Sequence, residues 1–132
     1  MGWQEVPHTA DWAVRVWADD LAGLLVESAR AMNALAGIRL VEEERLTRYL
    51  TADAPDAESL LVAFLSELIF QQEQEHLAFD QFRLDIEGSK LKAVMEGAPI
   101  QKMDKAVKAV TYHNLKIEKT TRGLEAEIVL DV

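Results

Sequence analysis

The sequence predicts an α+β fold, a two-layer sandwich in which two main helices pack on a mostly antiparallel sheet. Three observations predict it. Two stretches repeat apolar residues at helical spacing, several others alternate apolar with polar residues, and tight turns join the alternating stretches in pairs. Hairpins of this kind leave one sheet face apolar, and two amphipathic helices are what the chain has to cover it.

Each element has its own justification. Residues 13–18, AVRVWA, set Val14 and Val16 against Arg15, the pattern of a strand with one wet face. Asp19 and Asp20 then supply helix-start oxygens, Leu21, Leu24, Leu25, Ser28, Met32 and Leu35 recur at helical spacing, and Gly37 marks a stop, which predicts a helix over 20–36. A strand is expected near 45–52. The stretch DAPDAESLL carries Asp and Pro start signals ahead of Leu60, Leu61, Phe64, Leu65, Leu68 and Ile69, so a second helix is expected from about 56 to 76. From Phe82 to Ile86 and from Leu91 to Met95 the period becomes two, with Gly88-Ser89 as the turn between them. A second hairpin joins Leu115 and Ile117, through TTRG, to the alternating run from Leu124 to Val132. Between the hairpins, PIQKMDKAVKAVTYH fits either a short amphipathic helix with Met103, Val107 and Val110 inward, or partly strand.

With 132 residues, 49% of them hydrophobic, the chain is expected to close one core as a single domain, 1–132. Its longest apolar run, LLVAFL, is far shorter than the roughly 20 residues of a membrane-spanning helix. The opening MGWQEVPH lacks a basic start followed by an apolar run, so no secretory signal is expected and the protein should be cytoplasmic. Absence of cysteine excludes disulfides, thiolate metal clusters and thiol nucleophiles. The formal charge of −9 is uneven, with residues 1–89 at −11 and residues 90–132 at +2. An acidic body repels phosphate backbones, so no stable nucleic-acid binding by the chain alone is expected, and cations or basic proteins are the better partners.

Few residues could carry chemistry. Alternation puts Leu124, Ala126, Ile128, Leu130 and Val132 on the core face, so Asp131 points the other way, beside the Val132 backbone oxygen and terminal carboxylate. Hard oxygens of this kind suit Ca²⁺, Mg²⁺ or Mn²⁺. A penultimate Asp on a wet strand face is more often merely solubilising. Asp11 and Thr9 equally fit a turn before the first strand, and His8 fits a hydrogen bond at a core edge. Spacing alone leaves open whether Asp11 reaches Asp131. Glu73 and His76 have the spacing of a di-iron carboxylate motif, but one copy reads better as a histidine at a helix end. Lys108, Thr111, Tyr112 and His113 share one polar segment, in which a Lys/His pair could handle phosphate or protons. Trp3, Trp12 and Trp17 read as core or rim, since a base-stacking platform would need more basic neighbours than Arg15. Nucleophile-elbow, phosphate-loop and dinucleotide patterns are lacking.

Taken together, PHTADWAVRVWADDLAGLLVESARAMNAL, LLVAFLSELIF, VKAVTYHNLKIE and the closing VLDV resemble the archease family along nearly the whole chain. The resemblance implies a protein without a reaction of its own, which assists GTP-dependent RNA ligases of the RtcB type in tRNA splicing and RNA repair by promoting guanylylation and repeated turnover. It further implies a divalent metal ion, Ca²⁺ or Mg²⁺/Mn²⁺, at Asp11, Asp131 and Val132, with His8, Lys108 and His113 in signature segments around it. Pro7 and Ala63 depart from the family pattern, each standing where many relatives carry an acidic residue. Two other classes compete: a small divalent-metal-dependent hydrolase or phosphoesterase using His113 or Lys108, and a chaperone-like module for another RNA-modifying enzyme.

Overall fold

The structure is a computed structural model and describes residues 1–6 and 11–132. Strands β1 (Gly2–Val6) and β2 (Trp12–Ala18) lead into helix α1 (Leu21–Ala36), followed by the short β3 (Arg39–Leu40) and by β4 (Leu46–Asp53). Helix α2 (Ala57–Phe70) continues into a π-helical turn, Gln71–Glu75. Then come β5 (Leu77–Glu87), β6 (Lys90–Lys102), β7 (Ala109–Thr111), β8 (Glu118–Thr120) and β9 (Gly123–Asp131).

The α+β class and the two helices packed on antiparallel strands are as the sequence predicts, and the strands divide into two sheets. One has the order β1-β2-β9-β7, with β8 also on β9; the other has the long β6 between β4 and β5, with β3 beside its end. Every pairing among the described residues is antiparallel. Helix α1 packs on β2 and on β5, and α2 on β7 and on β4, so the helices join the two sheets. Phe64 of α2 meets Phe82 of β5 edge-on at 5.9 Å.

Local chemistry fixes the helix ends. Asp20 accepts a hydrogen bond from the Gly23 N–H (2.8 Å) and Asp56 one from the Ser59 N–H (2.7 Å), satisfying N–H groups that the first turn leaves unpaired. Gly37 ends α1 in the left-handed region at φ 66°, where a side chain would run into the Asp104 carboxylate. Leu24, Leu25, Ala29 and Met32 are buried, and the buried Ser28 hydroxyl donates to the Leu24 carbonyl. Helix α2 buries residues around much of its circumference, as expected of a helix lying against both sheets.

One expectation changes, one open alternative is decided as partly strand, and two short strands are added. The α-helical part of the second helix stops at Phe70; the wider turn beyond it ends at His76, whose φ of 55° breaks the helix while its N–H still reaches the Gln71 carbonyl. Between the hairpins the chain is strand and irregular backbone, because β6 keeps pairing as far as Lys102 and the N–H groups of Asp104 and Lys105 bond the Ala36 carbonyl at the end of α1. Met103, Val107 and Val110 nonetheless face the core. Strands β1 and β3 have no counterpart in the sequence reading, being short and lacking a clean alternation.

Gly97 lies where β5 bulges between Phe79 and Gln81, and a Cβ there would land on the Ala78 carbonyl oxygen. Gly97→Ala is expected to lower unfolding free energy by about 3 kcal/mol or more, at the upper end for single substitutions, as read from a urea titration.

Candidate functional site

Strand β9 is flanked by β2 on one side and by β7 and β8 on the other, so its outward-facing residues are surrounded by three other strands. Paired residues across an antiparallel ladder share a face. Trp17 and Arg15 of β2 therefore stand beside Glu125 and Glu127 of β9, and Ala13 stands beside Val129, on the face turned away from the helices.

At one end this face holds a compact ionic cluster. Arg15 reaches Glu125 and Glu127, each at 3.2 Å, and Arg122 reaches Glu125 at 3.3 Å while its guanidinium carbon lies 4.0 Å from the centre of a Trp17 ring. Burial pushes the Glu125 carboxyl up, but the Thr120 hydroxyl and Arg15, which donate to it, and the charges of Arg122 and Arg15 together outweigh this and hold it below the usual carboxylate range. The cluster is balanced, with two guanidiniums against two carboxylates, and its role is structural. Sequence reading placed Arg15 on a wet face, but Arg122 and the two glutamates are more than a hundred positions away in the chain. Only their alternation hinted at a shared face.

At the other end, among the described residues, the carboxylates lack such partners. The last rung between β2 and β9 pairs Trp12 with Leu130, so Asp11 and Asp131 are the residues that adjoin it, Asp11 in a bend just before β2 and Asp131 at the end of β9. On the opposite side Ala109 pairs with Asp131, and the Lys108 N–H donates to the Asp131 carbonyl at 2.7 Å. Among the described residues neither Asp11 nor Asp131 is in an ion pair. Asp131 is exposed, Asp11 is half-buried, and Val132 packs against the core.

The sequence-predicted residues therefore separate. Asp11, Asp131, Val132 and Lys108 gather where β2, β9 and β7 meet. His113 does not join them, because β7 runs away from Asp131 and leaves this exposed residue in the turn beyond Thr111, to whose hydroxyl its N–H donates at 3.2 Å. His8 and Pro7 lie outside the described residues. His76 is the exposed residue that ends the π-helical turn, which gives Glu73 and His76 the structural reading. Ala63 is half-buried in α2. Trp3 and Trp12 pack on the core.

The candidate donor set is all hard oxygen: the Asp11 and Asp131 carboxylates and the Val132 backbone oxygen, the Asp131 carbonyl being engaged by Lys108. Among the described residues no group of three or more His, Asp or Glu side chains gathers that could hold a metal ion. Two carboxylates completed by backbone oxygen fit a hard divalent cation that keeps positions open, and do not fit the closed nitrogen or sulfur site of a structural zinc.

Residues 3–132 match the model of the Archease protein family (MTH1598/TM1083). The chain belongs to the archease family. Its archease relatives include that of Methanopyrus kandleri, 37% identical with both chains fully covered, and that of Pyrococcus abyssi, 35% identical over 98% of each chain. A crystal structure of the Thermotoga maritima archease superposes with a TM-score of 0.74, at 25% identity over 98% of this chain and 96% of that one. The archease resemblance and the α+β fold read from the sequence are thus both found. No helix among the described residues is long and apolar enough to cross a membrane.

Since the Glu125 carboxyl titrates lower in the folded protein than the roughly 4.3 of a free glutamate, its contribution to stability is present above that pH and is lost as pH falls through the folded value. Glu125→Gln is expected to unfold at lower temperature at pH 7 and to lose less stability than the parent protein as pH falls below the range of a free glutamate, as read from thermal melts at descending pH.

Proposed function

We propose that this archease is the protein cofactor of a GTP-dependent RNA ligase of the RtcB type, in tRNA splicing and RNA repair. It has no turnover of its own, acts in the cytoplasm as one functional unit over residues 1–132, and promotes the ligase's guanylylation and repeated turnover. Asp11, Asp131 and Val132 hold a divalent ion, Ca²⁺ or Mg²⁺/Mn²⁺, for this task.

The observation that carries the reading is the Trp12–Leu130 rung, which Asp11 and Asp131 both adjoin. Facing residues in such a ladder have Cα atoms about 4.5–5.5 Å apart, and Asp11 and Asp131 each adjoin one such rung, which supports two carboxylates sharing one cation. Family membership over nearly the whole chain supports the partner class.

Each residue then has a role. Asp11 and Asp131 bind the cation from opposite strands, and a Val132 backbone oxygen adds a third donor. Lys108 fixes the end of β9 through its backbone N–H, which donates to the Asp131 carbonyl. When bound, the ion supplies open coordination positions that oxygen donors of a second protein can fill. The acidic body favours approach to a basic, metal-bearing surface of the ligase and disfavours RNA on its own. Of the two residues the hydrolase reading could use, His113 or Lys108, β7 carries His113 away from Asp131, which leaves that reading Lys108 alone.

With a cognate ligase, GTP and Mn²⁺, the parent protein is expected to accelerate guanylylation. Asp11→Ala and Asp131→Ala are each expected to lose that acceleration by about tenfold or more while keeping the parent's circular dichroism, and to lose Ca²⁺ or Mn²⁺ binding in a calorimetric titration. An unchanged guanylylation rate on adding the parent protein overturns the reading. Phosphate-ester turnover by the protein alone, abolished by Asp11→Ala, would replace it with the hydrolase.

A further inference from the structure

A second surface lies at the C-terminal end of α1. There the chain leaves the helix at Gly37 and passes through β3 into β4, both antiparallel to β6, while the first residues of β5 also pair with β6. Asn33 holds this junction by donating its side-chain amide to the Phe79 carbonyl at 2.8 Å. Between these elements is an open cleft of about 420 Å³ whose floor includes Ile38, Leu40, Val41 and Ala78. The first three are only partly buried, so they keep apolar area in contact with water that an occupant would remove.

The rim is acidic. Arg45 is the basic residue lining the cleft, and both ends of its guanidinium bond the Asp80 carboxylate, at 2.7 and 3.0 Å, so its charge is already matched. Glu42 lines the cleft, and Glu43 and Glu44 follow it in the same exposed loop. Among the described residues none of the three is in an ion pair. An apolar floor beneath three unmatched carboxylates repels phosphates and acidic chains. It complements an apolar side chain flanked by cations.

We infer that this cleft is a docking groove for a segment of a partner protein in which an aliphatic or aromatic anchor is flanked by lysine or arginine. The anchor fills the floor formed by Ile38, Leu40, Val41 and Ala78, and the flanking cations face Glu42, Glu43 and Glu44. The groove lies beyond the site proposed above and is joined to it by one stretch of chain. Lys102 pairs with Arg39, the N–H groups of Asp104 and Lys105 bond the Ala36 carbonyl, and the Lys108 N–H bonds the Asp131 carbonyl. One partner could therefore touch both, the groove providing a grip that needs no ion.

The test uses the full chain and three short synthetic peptides: a leucine flanked by lysines, the same peptide with glutamate flanks, and the lysine peptide with alanine in place of leucine. Amide and methyl resonances are followed by NMR, with free leucinamide as a control for small-molecule occupancy. The lysine–leucine peptide is expected to shift resonances of residues 38–45 and 78–80, and the other two peptides to leave them in place. Combined Glu42→Lys, Glu43→Lys and Glu44→Lys, all in an exposed loop, are expected to weaken that binding by about tenfold or more and to remove most of its salt dependence. Shifts centred elsewhere, no shift at millimolar peptide, equal binding of the glutamate or alanine peptide, or equal binding of leucinamide each overturn the inference. Because the assay contains neither ligase nor divalent ion, its failure leaves the proposed function standing, and the reverse also holds.

Discussion

The antiparallel pairing of β2 with β9 is the constraint on which the rest of the molecule depends. Its seven rungs, Trp12↔Leu130 to Ala18↔Leu124, join the first and last parts of the chain. On the inner face Val14, Val16 and Ala18 with Ala126, Ile128 and Leu130 form buried rows in contact with α1. On the outer face the same rungs set the charges in register. A one-residue slip would exchange the two faces, placing Arg15 and Glu127 in the core and the valines in water. Burial of one face thus determines what stands on the other.

Both helices reinforce this arrangement. A sheet with one apolar face needs a cover, and α1 and α2 each cover parts of two sheets at once. Since α1 runs back along β2, its C-terminal end is brought to the segment that leads to Lys108 and Asp131, through the bonds of Asp104 and Lys105 to the Ala36 carbonyl. The groove beside Ile38 and the carboxylates at the end of β9 are therefore linked by ordinary helix termination: unpaired carbonyls at a helix end require donors, and here the donors belong to the connecting chain.

The outer face divides its charges by function. Around Glu125 each charge meets its opposite, and although exposed ion pairs contribute only about 0–1 kcal/mol apiece, this carboxylate is nearly buried and has several donors. Such a group is costly to leave unpaired, so the cluster pins the register locally. At the far end, beyond the buried Ala13 and Val129, the carboxylates of Asp11 and Asp131 have no matching cation among the described residues. Glu42, Glu43 and Glu44 repeat that pattern on the other surface. Uncompensated charge held on a rigid frame costs stability and is what a cation or a basic partner can relieve.

By itself the sequence determined the periodic features: helix α1 from Asp20 to Gly37, the start of α2 at Asp56, the Gly88-Ser89 turn, and the alternation that turns Asp131 from the core. These rest on interactions within a few residues, such as caps, turn geometry and side-chain period, which one short window contains. It also supported the archease resemblance, through motifs distributed along the chain. Tertiary structure alone decided the division into two sheets, the strand character of 99–102, the meeting of Arg15 with Glu125, and which residues gather by Asp131. Those depend on strand register between segments well separated in the chain, from Arg39↔Lys102 to Trp12↔Leu130, fixed by the burial of whole faces and not by any local preference. That is why Asp11 and His113, which the archease resemblance put around one metal, lie toward opposite ends of β7, Asp11 near its Ala109 end and His113 beyond Thr111.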